Sequence, residues 1–330
     1  MSKVKFGLTL PNRGPLIYPD KITPDLLITL AEIGEEGGFD SVWVGDSIMA
    51  KPRFESTTVL AAVASRTKVV KLGVACMASF PLRHPVLTAY TWATLDQISK
   101  GRTILVACMG GGSREAGGDF QTEFNNLGID YGKRAKILEE NIEIIKALWT
   151  KDKVNYDGKF YKLKDATLEP KPYQKPRPPI WLVSNPYPFN PPDAQIRRGL
   201  NRVARIADGW MTTLVTPEQF KHGLGVIKEE ALKIGKDPNT LEKSLYYNIN
   251  LEEDEEKAFK ESKDFLDRYY MTNFGPQVIN SWVALGNREK CIKRLEEYVN
   301  AGAKVITLRM TTTKQKEMVE KVAKEILPSF

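Results

Sequence analysis

Short β-rich runs alternate with helical segments along the sequence, and this alternation restricts the possible folds more than any other feature. The runs with the composition of strands are residues 4–10, 41–46, 70–77, 103–109, 179–184, 209–214, 243–251 and 304–310. The segments with the apolar spacing of helices are 24–37, 55–66, 85–98, 132–149, 193–207, 217–234, 255–270, 287–300 and 313–326. Strands that alternate with helices are connected by crossovers, so they lie parallel to one another in a sheet.

The eight βα units predict a single (β/α)8 TIM barrel over residues 1–330. TIM barrels typically have about 250 residues, and the surplus lies in four predicted insertions in the βα loops, at about 110–131, 151–178, 185–193 and 271–284. The second contains two β-like runs around Asp157 and Gly158, which predicts a hairpin. A doubly wound open sheet is the alternative, but it requires G-x-G-x-x-G after the first strand, where this chain has PNRGPLIYPD.

The charge balance bears on the class of partner. The chain has 48 basic and 41 acidic residues, a formal charge of +7, and the two signs are mixed along it. No block of like charge predicts a nucleic-acid surface, and the surplus favours at most an attraction to anionic small molecules. No apolar window approaches the length of a membrane span, and the first residues lack the apolar core of a signal peptide. We therefore expect a cytoplasmic protein without a membrane partner.

Metal and disulfide chemistry are disfavoured by the few residues that could support them. The three cysteines are Cys76, Cys108 and Cys291, and the two histidines are His84 and His222. They have neither the spacing of a metal site nor that of a disulfide framework. We expect no bound metal.

The residues that follow the strands carry the chemistry in a barrel, because the active site lies at the C-terminal ends of the strands. Here they include no Ser-His-Asp set, no close pair of carboxylates and no lysine at a strand end. Such a mouth suits a bound cofactor that carries the reaction. The stretch GGGSREAGG, residues 110–118, follows the fourth strand and matches neither a dinucleotide fingerprint nor a P-loop. Contact with a ligand and a mobile surface loop are both open for it.

Several motifs in order along the chain together indicate a family. They are FDSVWVGDS (39–47), RHP (83–85), LDQISKGR (95–102), EFNNLGIDYGKRAKILEENIEIIKALW (123–149), PKPYQKPRPPIWLVS (170–184), RIADGW (205–210) and the final GAKVITLRM. In this set the chain resembles, nearly end to end, the luciferase-like flavin monooxygenase superfamily. That superfamily includes bacterial luciferase, FMN-dependent monooxygenases and coenzyme F420-dependent reductases such as methylenetetrahydromethanopterin reductase. Its fold is a (β/α)8 barrel with insertions, as the alternation also predicts.

The resemblance implies a ring in the barrel mouth, often over a bulge in strand three that contains a non-prolyl cis peptide. The matching segment here is GVACMAS, which makes the bond between Ala75 and Cys76 the candidate. Cys108 matches a luciferase cysteine near the reactive face of the ring, but Met109 replaces the arginine that follows it there, and an inert core thiol is the alternative. The cofactor-binding residues predicted around the ring are Ala75, Cys76, Met77, Gly110 and Gly111.

The resemblance also implies an arginine that binds the cofactor phosphate at the start of the fourth helix, where this chain has Arg134. The alternative for Arg134 is an ion pair with Glu139 or Glu140 on the helix surface. The other residues predicted to contact the phosphate are Ser184 and Asn185 at the end of strand five and Arg309 at the end of strand eight.

Departures from the family affect the expected mechanism. Many F420-dependent dehydrogenases have Asp-His after strand two, whereas this chain has Asp46 and Ser47. The glutamate that such enzymes place after strand four is also missing, which disfavours hydride abstraction from an alcohol. The candidate catalytic residues are Asp46, Ser47 and Cys108.

Four further polar residues are expected to have structural roles. His84 begins a helix and is expected to position backbone, and His222 is expected at the surface. Asp96 and Arg102 flank a helix end and the next strand, so we expect an ion pair between them.

These observations predict a flavin-dependent oxidoreductase, specifically a monooxygenase that uses reduced FMN and O2 on a small organic substrate. A separate reductase would supply the reduced FMN, and the glycine loop and residues 271–284 would close over the site. One alternative is an F420-dependent reductase that transfers hydride. Another is a flavin-binding relative without catalysis, which the missing histidine keeps open. Family members often dimerise through early helices, so we expect a homodimer or a higher homo-oligomer.

Overall fold

The computed structural model describes residues 4–111, 117–187 and 192–330. The strands are β1 (Lys5–Thr9), β2 (Ser41–Asp46), β3 (Lys71–Met77), β4 (Thr103–Ala107), β5 (Val154–Asp157), β6 (Lys162–Ala166), β7 (Ile180–Val183), β8 (Gly209–Thr212), β9 (Glu242–Leu251), β10 (Val283–Gly286) and β11 (Val305–Met310). The helices are α1 (Gly14–Ile17), α2 (Pro24–Glu36), α3 (Ser56–Arg66), α4 (Pro85–Ser99), α5 (Phe120–Asn126), α6 (Arg134–Thr150), α7 (Asp193–Ile206), α8 (Pro217–Lys233), α9 (Glu255–Tyr270), α10 (Pro276–Trp282), α11 (Arg288–Asn300) and α12 (Gln315–Glu325).

Eight parallel strands close into a barrel. Their order around it is β1, β2, β3, β4, β7, β8, β9 and β11, and β11 pairs back onto β1. The predicted (β/α)8 TIM barrel is therefore confirmed, and every predicted strand and helix has observed ends within two residues of its predicted ends. The hairpin predicted around Asp157 is also confirmed as the antiparallel pair of β5 and β6. A further strand, β10, was not predicted and pairs with the second half of β9.

Helices begin where side chains replace the hydrogen bonds that the first turn lacks. Thr23 accepts a hydrogen bond from the Leu26 N–H, with Pro24 in the first turn of α2. Thr216 and Gln219 form a capping box at the start of α8. His84 Nδ1 accepts a hydrogen bond from the Val86 N–H at 3.3 Å, which places His84 at the start of α4 as expected. In the described ranges, no helix is long and apolar enough to cross a membrane.

The predicted ion pair between Asp96 and Arg102 is wrong, although both residues hold the junction between α4 and β4. Asp96 accepts hydrogen bonds from Thr103 Oγ1 at 2.7 Å and from the Gln174 backbone at 2.8 Å. Arg102 donates to main-chain carbonyls instead, among them that of Ala64 at 3.0 Å. The carbonyls in the last turn of α3 have no helical partner, so the guanidinium binds there.

Two tryptophans fill the barrel interior below its C-terminal mouth. The rings of Trp43 and Trp181 lie 5.5 Å apart between their centroids, and both residues are buried. Three strand glycines make room for them: a Cβ at Gly7 or Gly73 would lie 2.3 or 2.1 Å from Trp43, and one at Gly209 would lie 2.5 Å from Trp181. The interior is therefore a packed core, and access to the barrel is from the mouth.

Gly73→Ala should destabilise the barrel, because the added Cβ would overlap the ring of Trp43. Overpacking of this kind costs about 1–3 kcal/mol, so the midpoint of urea unfolding should fall. Gly225→Ala is the control, since Gly225 lies in α8 and a Cβ there meets no atom within 4 Å. That control should stabilise the protein by about 0.5–1 kcal/mol. Equal midpoints for the two variants would contradict the packing argument.

Candidate active site

The barrel mouth has two chemically different sides. We call the ends of β3, β4 and β7 the thiol side, because the half-buried Cys76 and Cys108 lie there. We call the ends of β9, β11, β1 and β2 the cationic side, because Arg309 on β11 is joined there by cations from the loops after β1 and β2. In the described ranges, no group of three or more His, Cys, Asp or Glu side chains is placed to hold a metal ion.

The thiol side contains the backbone feature that the family resemblance implied. The peptide bond between Ala75 and Cys76 is cis, as predicted, and the register of β3 against β4 shifts between Gly73 and Met77. Interaction with the Cys108 thiol, together with burial, raises the pKa of Cys76, whereas the interaction with Cys76 lowers the pKa of Cys108. Cys108 is therefore the thiol of this pair that ionises first.

Asp46 and Ser47, the candidate catalytic pair, are engaged in local hydrogen bonds. The Asp46 carboxylate accepts hydrogen bonds from Ser79 Oγ at 2.6 Å and from Arg83 Nη2 at 3.1 Å. Ser47 Oγ donates to the Lys51 carbonyl at 2.6 Å and accepts from the Lys51 N–H at 3.1 Å. Asp46 thus ties β2 to the segment after β3, and Ser47 shapes the turn that carries Lys51.

Arg134 begins α6, and its guanidinium is not paired with the glutamates that follow it. Nη1 donates to the Tyr131 carbonyl at 2.8 Å, the guanidinium lies 3.7 Å from the centre of the Tyr131 ring, and Nε is buried without a partner. Glu139 pairs with Arg202 at 2.6 Å, and Glu140 accepts hydrogen bonds from main-chain N–H groups between β5 and β6. The surface ion pair that was the alternative for Arg134 is therefore not formed.

Ser184 and Asn185 follow β7. Arg134 follows β4, which is the strand next to β7 in the barrel. Asn185 Oδ1 accepts hydrogen bonds from Thr212 Oγ1 and from the Thr213 N–H, both at 3.0 Å. Arg309 does not join this group, because β8 and β9 lie between β7 and β11. The residues predicted to share one phosphate are thus divided between the two sides of the mouth.

The glycines at the end of β4 pack against the chain itself. Gly110 and Gly111 have positive φ angles of 65° and 88°, and a Cβ would lie 2.4 Å from the Ala78 carbonyl oxygen and 2.2 Å from the Tyr131 hydroxyl. A Cβ at Gly117 would lie 1.8 Å from the carbonyl oxygen of Tyr270. Close backbone approach therefore explains glycine at these positions. Residues 112–116 of the loop lie outside the described residues.

Four cations converge on the cationic side, and we call Arg13, Lys51, Arg53 and Arg309 the cation cluster. Arg309 and Arg53 share the ring of Tyr269: Arg309 Cζ lies 3.8 Å from its centre, and Arg53 Nη1 donates to its hydroxyl at 3.1 Å.

Tyr270 and main-chain carbonyls connect the remaining members of the cluster. Arg309 Nη1 donates to the Tyr270 hydroxyl at 2.8 Å, and Lys51 Nζ lies 4.6 Å from the centre of that ring. Arg53 Nε donates to the Lys51 carbonyl at 3.0 Å, and Arg13 Nη1 donates to the Pro52 carbonyl at 2.7 Å.

A buried carboxylate holds the loop that carries Lys51. Glu123 on α5 is fully buried, and its Oε2 accepts hydrogen bonds from the N–H groups of Ile48, Met49 and Ala50 at 3.1, 2.5 and 2.5 Å. The direction of the loop after β2 therefore depends on α5, which lies in the predicted insertion 110–131.

No motif in the sequence identifies Lys51, Arg53, Glu123, Tyr269 or Tyr270 as site residues. The available signals are KPR at 51–53, soon after the second strand, and RYY at 268–270, just before the insertion at 271–284. Neither signal shows by itself that the two segments meet, because they lie more than 200 residues apart.

The fold is a (β/α)8 barrel with a cis peptide at a bulge of its third strand. Residues 4–305 match the family described as Luciferase-like monooxygenase, and the chain belongs to that family. It is 24% identical to an F420-dependent glucose-6-phosphate dehydrogenase of Amycolatopsis mediterranei, over 94% of this chain and 96% of that protein.

The descriptions of two other similar proteins name FMNH(2) in one case and F420 in the other. The chain is 26% identical to an FMNH(2)-dependent dimethylsulfone monooxygenase of Pseudomonas putida, over 85% of this chain and 76% of that protein. In structure it is similar to an F420-dependent secondary alcohol dehydrogenase in complex with an F420-acetone adduct, with a TM-score of 0.81, 20% identity and 98% of each chain covered. At this level of identity the structural likeness supports the fold.

Lys51→Met should remove a pH-dependent contribution of the buried ammonium to the free energy of unfolding. Burial, followed by the charges of Arg53, Arg309 and Arg13, lowers the pKa of Lys51 from 10.5 to about 7. Between these values the unfolded chain binds more protons than the folded one, so the unfolding free energy of the wild type should rise with pH. The Lys51→Met variant should lack this contribution to the rise.

Urea unfolding at steps between pH 6.5 and about 10.5 measures this dependence. Lys164→Met, at an exposed position of β6, is the matched control and should keep the wild-type slope. A wild-type slope in Lys51→Met would show that the ammonium is not desolvated.

Proposed function

We propose that the protein is a flavin-dependent oxidoreductase, specifically a monooxygenase that uses reduced FMN with O2 on a small organic substrate. When bound, reduced FMN supplies the electrons for the activation of oxygen. The observation that carries the proposal is Arg134, because its Nε is buried without a partner and the nearby glutamates bind other groups. An arginine in this condition suits the phosphate of a cofactor.

In this proposal the ring lies on the thiol side and the phosphate lies between α6 and β7. Arg134, Ser184 and Asn185 hold the phosphate, and Gly110 and Gly111 form the adjoining backbone. The cis peptide, its neighbour Met77 and Cys108, the thiol whose pKa is lowered, would line the site of the ring. Arg309 binds another anion in this proposal, since it lies on the opposite side of the mouth.

Asp46 and Ser47 act in this proposal by positioning other groups. Asp46 holds Ser79 and Arg83 beside the segment that follows the cis peptide, and Ser47 holds the turn of Lys51. Tyr270, Phe274 and Trp282 pack together over the cationic side, with ring centres 5.3–5.8 Å apart. These rings, which include part of the insertion at 271–284, exclude water from the mouth.

A second candidate is F420-dependent hydride transfer to an unsaturated substrate. The observation that favours it is the number of cations at the mouth, which suits a cofactor with a longer anionic tail. The chain is also similar over 94% of its length to a protein described as F420-dependent.

Arg134→Ala should weaken the binding of FMN about 10- to 100-fold, since a hydrogen bond to a charged group contributes about 1.5–3 kcal/mol. Quenching of FMN fluorescence during titration gives the Kd. Arg197→Ala is the control, because Arg197 pairs with Glu229 at 3.1 Å between α7 and α8, and it should bind FMN as the wild type does. Equal affinity for FMN in Arg134→Ala and the wild type would show that Arg134 does not bind the cofactor.

The same titration with reduced FMN and with F420 separates the two candidates. Tighter binding of reduced FMN, with O2 uptake in the presence of an organic substrate, supports the monooxygenase. Tight binding of F420 without any response to reduced FMN would support F420-dependent hydride transfer and contradict the monooxygenase. Binding of a cofactor without turnover of any substrate would indicate a non-catalytic relative.

We also propose that the protein is a cytoplasmic homodimer that receives reduced FMN from a separate reductase. One face of α4 exposes Leu87, Tyr90 and Ile98, with 63%, 50% and 51% of their surface accessible. Exposed large apolar side chains on one face of a helix are typical of an interaction site. Leu87→Glu should shift sedimentation velocity towards the monomer, whereas Leu127→Glu, at an exposed leucine after α5, should not. A wild-type profile for Leu87→Glu would place the interface elsewhere.

A further inference from the structure

The three arginines of the cation cluster carry positive charge that no carboxylate in the described part of the chain neutralises. In the described part of the chain, Arg13, Arg53 and Arg309 form no ion pair with a carboxylate. Their hydrogen bonds go to main-chain carbonyls and to the hydroxyls of Tyr269 and Tyr270. Arg13 and Arg309 are only 6% and 2% exposed. A buried guanidinium without a counter-charge is costly, so a mobile anion is the missing partner.

Several donors at this place are ready for such an anion. Nε of Arg13 and Nε of Arg309 are both buried and have no hydrogen-bond partner among the residues that the structure describes. The hydroxyls of Thr9 and Thr307 also lack partners: Thr9 is paired with Arg309 in the strand register, and Thr307 precedes Arg309 by two residues on β11. Because residues paired in a parallel sheet have side chains on the same face, the Thr9 hydroxyl lies on the same face of the sheet as Arg309. Thr307 pairs with Gly7 and therefore lies deeper, at the level of the Trp43 ring.

The pKa of Tyr269 reflects the positive charge of the surrounding arginines. Burial alone raises the pKa of its hydroxyl, but the guanidiniums of Arg309, Arg53 and Arg13 outweigh burial and lower the pKa below its ordinary value. The phenol is a weak acid, so it offers the three arginines only partial compensation. A carboxylate, sulfonate or phosphate would supply a full negative charge.

We propose that the cation cluster binds the oxyanion of the substrate, and that the substrate is a small organic carboxylate, sulfonate or phosphate monoester. This inference rests on the proposed function, because only that function makes the bound anion a substrate. The cofactor phosphate belongs to Arg134 and Ser184, which follow β4 and β7, whereas the cluster follows β1, β2 and β11 on the other side of the barrel. The two anion sites therefore hold two molecules, and the ring lies between them.

The position of Lys51 links the cluster to the reacting region. Lys51 lies in the loop after β2, and β2 pairs with β3 through Asp46 and Met77, next to the cis peptide against which the ring is proposed to lie. An anion bound by Arg309 and Arg53 would therefore place the organic part of the substrate next to the thiol side. The planar guanidinium of arginine matches the geometry of an oxyanion, which gives orientation as well as affinity.

The test uses the full-length protein freed of cofactor, with hexanesulfonate, hexanoate and hexyl phosphate as probes and hexanol as the neutral probe of equal length. Isothermal titration measures binding. We expect at least one anionic probe to bind and hexanol not to bind. Arg53→Gln and Arg13→Gln should each weaken that binding about tenfold or more. Arg53 is the first choice because it is only half buried, so its variant is expected to fold; circular dichroism checks this.

Any one of four results would overturn the inference, and the first three concern the anionic probes. They are failure of all three anionic probes to bind, wild-type affinity for them in both folded variants, and tighter binding of inorganic sulfate than of any organic anion. Loss of FMN binding in Arg53→Gln with unchanged anion binding would also overturn it, by assigning the cluster to the cofactor.

The matched variant Arg134→Ala separates this inference from the proposed function. It should lose affinity for FMN and keep its affinity for the anionic probe. If the wild type binds the probe through the cluster but binds neither FMN nor F420, the proposed function fails and the anion site stands. If the wild type binds reduced FMN and oxygenates only neutral compounds, the proposed function stands and the inference about the substrate fails.

Discussion

The packing of Trp43 against Trp181 inside the barrel determines where chemistry can take place. The two rings, accommodated by glycines on three strands, fill the space between the strands and leave the C-terminal mouth as the place for ligands. The next residue on β2 with the same orientation as Trp43 is Gly45, where a Cβ would lie 2.0 Å from Arg53 Nη1. Glycines on the strands therefore make room both for the two tryptophans and for the guanidinium of Arg53 in the cation cluster.

The mouth separates two kinds of environment that a two-substrate reaction needs. The thiol side offers a cis peptide and two half-buried cysteines, which suit a flat ring. The cationic side offers guanidiniums stacked on tyrosine rings, which retain a strong field because they are removed from water. Tyr269 and Tyr270 at the end of α9 keep the cations in place without cancelling their charge. The proposed affinity for an organic anion is based on this arrangement.

Local contacts explain several residues whose chemistry first suggests catalysis. Asp46 and Ser47 stand at the end of a strand, yet their hydrogen bonds fix neighbouring segments of the chain. Gly110 and Gly111 stand where a phosphate loop could lie, yet each lies close against the protein itself. Arg134 is the opposite case: its motif allowed either a surface ion pair or an anion site, and the engagement of Glu139 with Arg202 leaves it available. Residue type and position along a strand do not distinguish these cases, because the distinction lies in what neighbouring elements donate.

Periodicity and turn residues determine the eight βα units, the hairpin at Asp157 and the starts of α2 and α8, since each depends on hydrogen bonds and apolar faces within a short stretch of chain. The cis bond at Ala75–Cys76 followed from a family motif that is also local. The cation cluster was decided by tertiary structure alone. It requires the loop after β2, held by Glu123 from α5, to meet the end of α9 and the last strand of the barrel. Barrel closure brings these distant segments together, and no short-range pattern records which charges then remain without a partner.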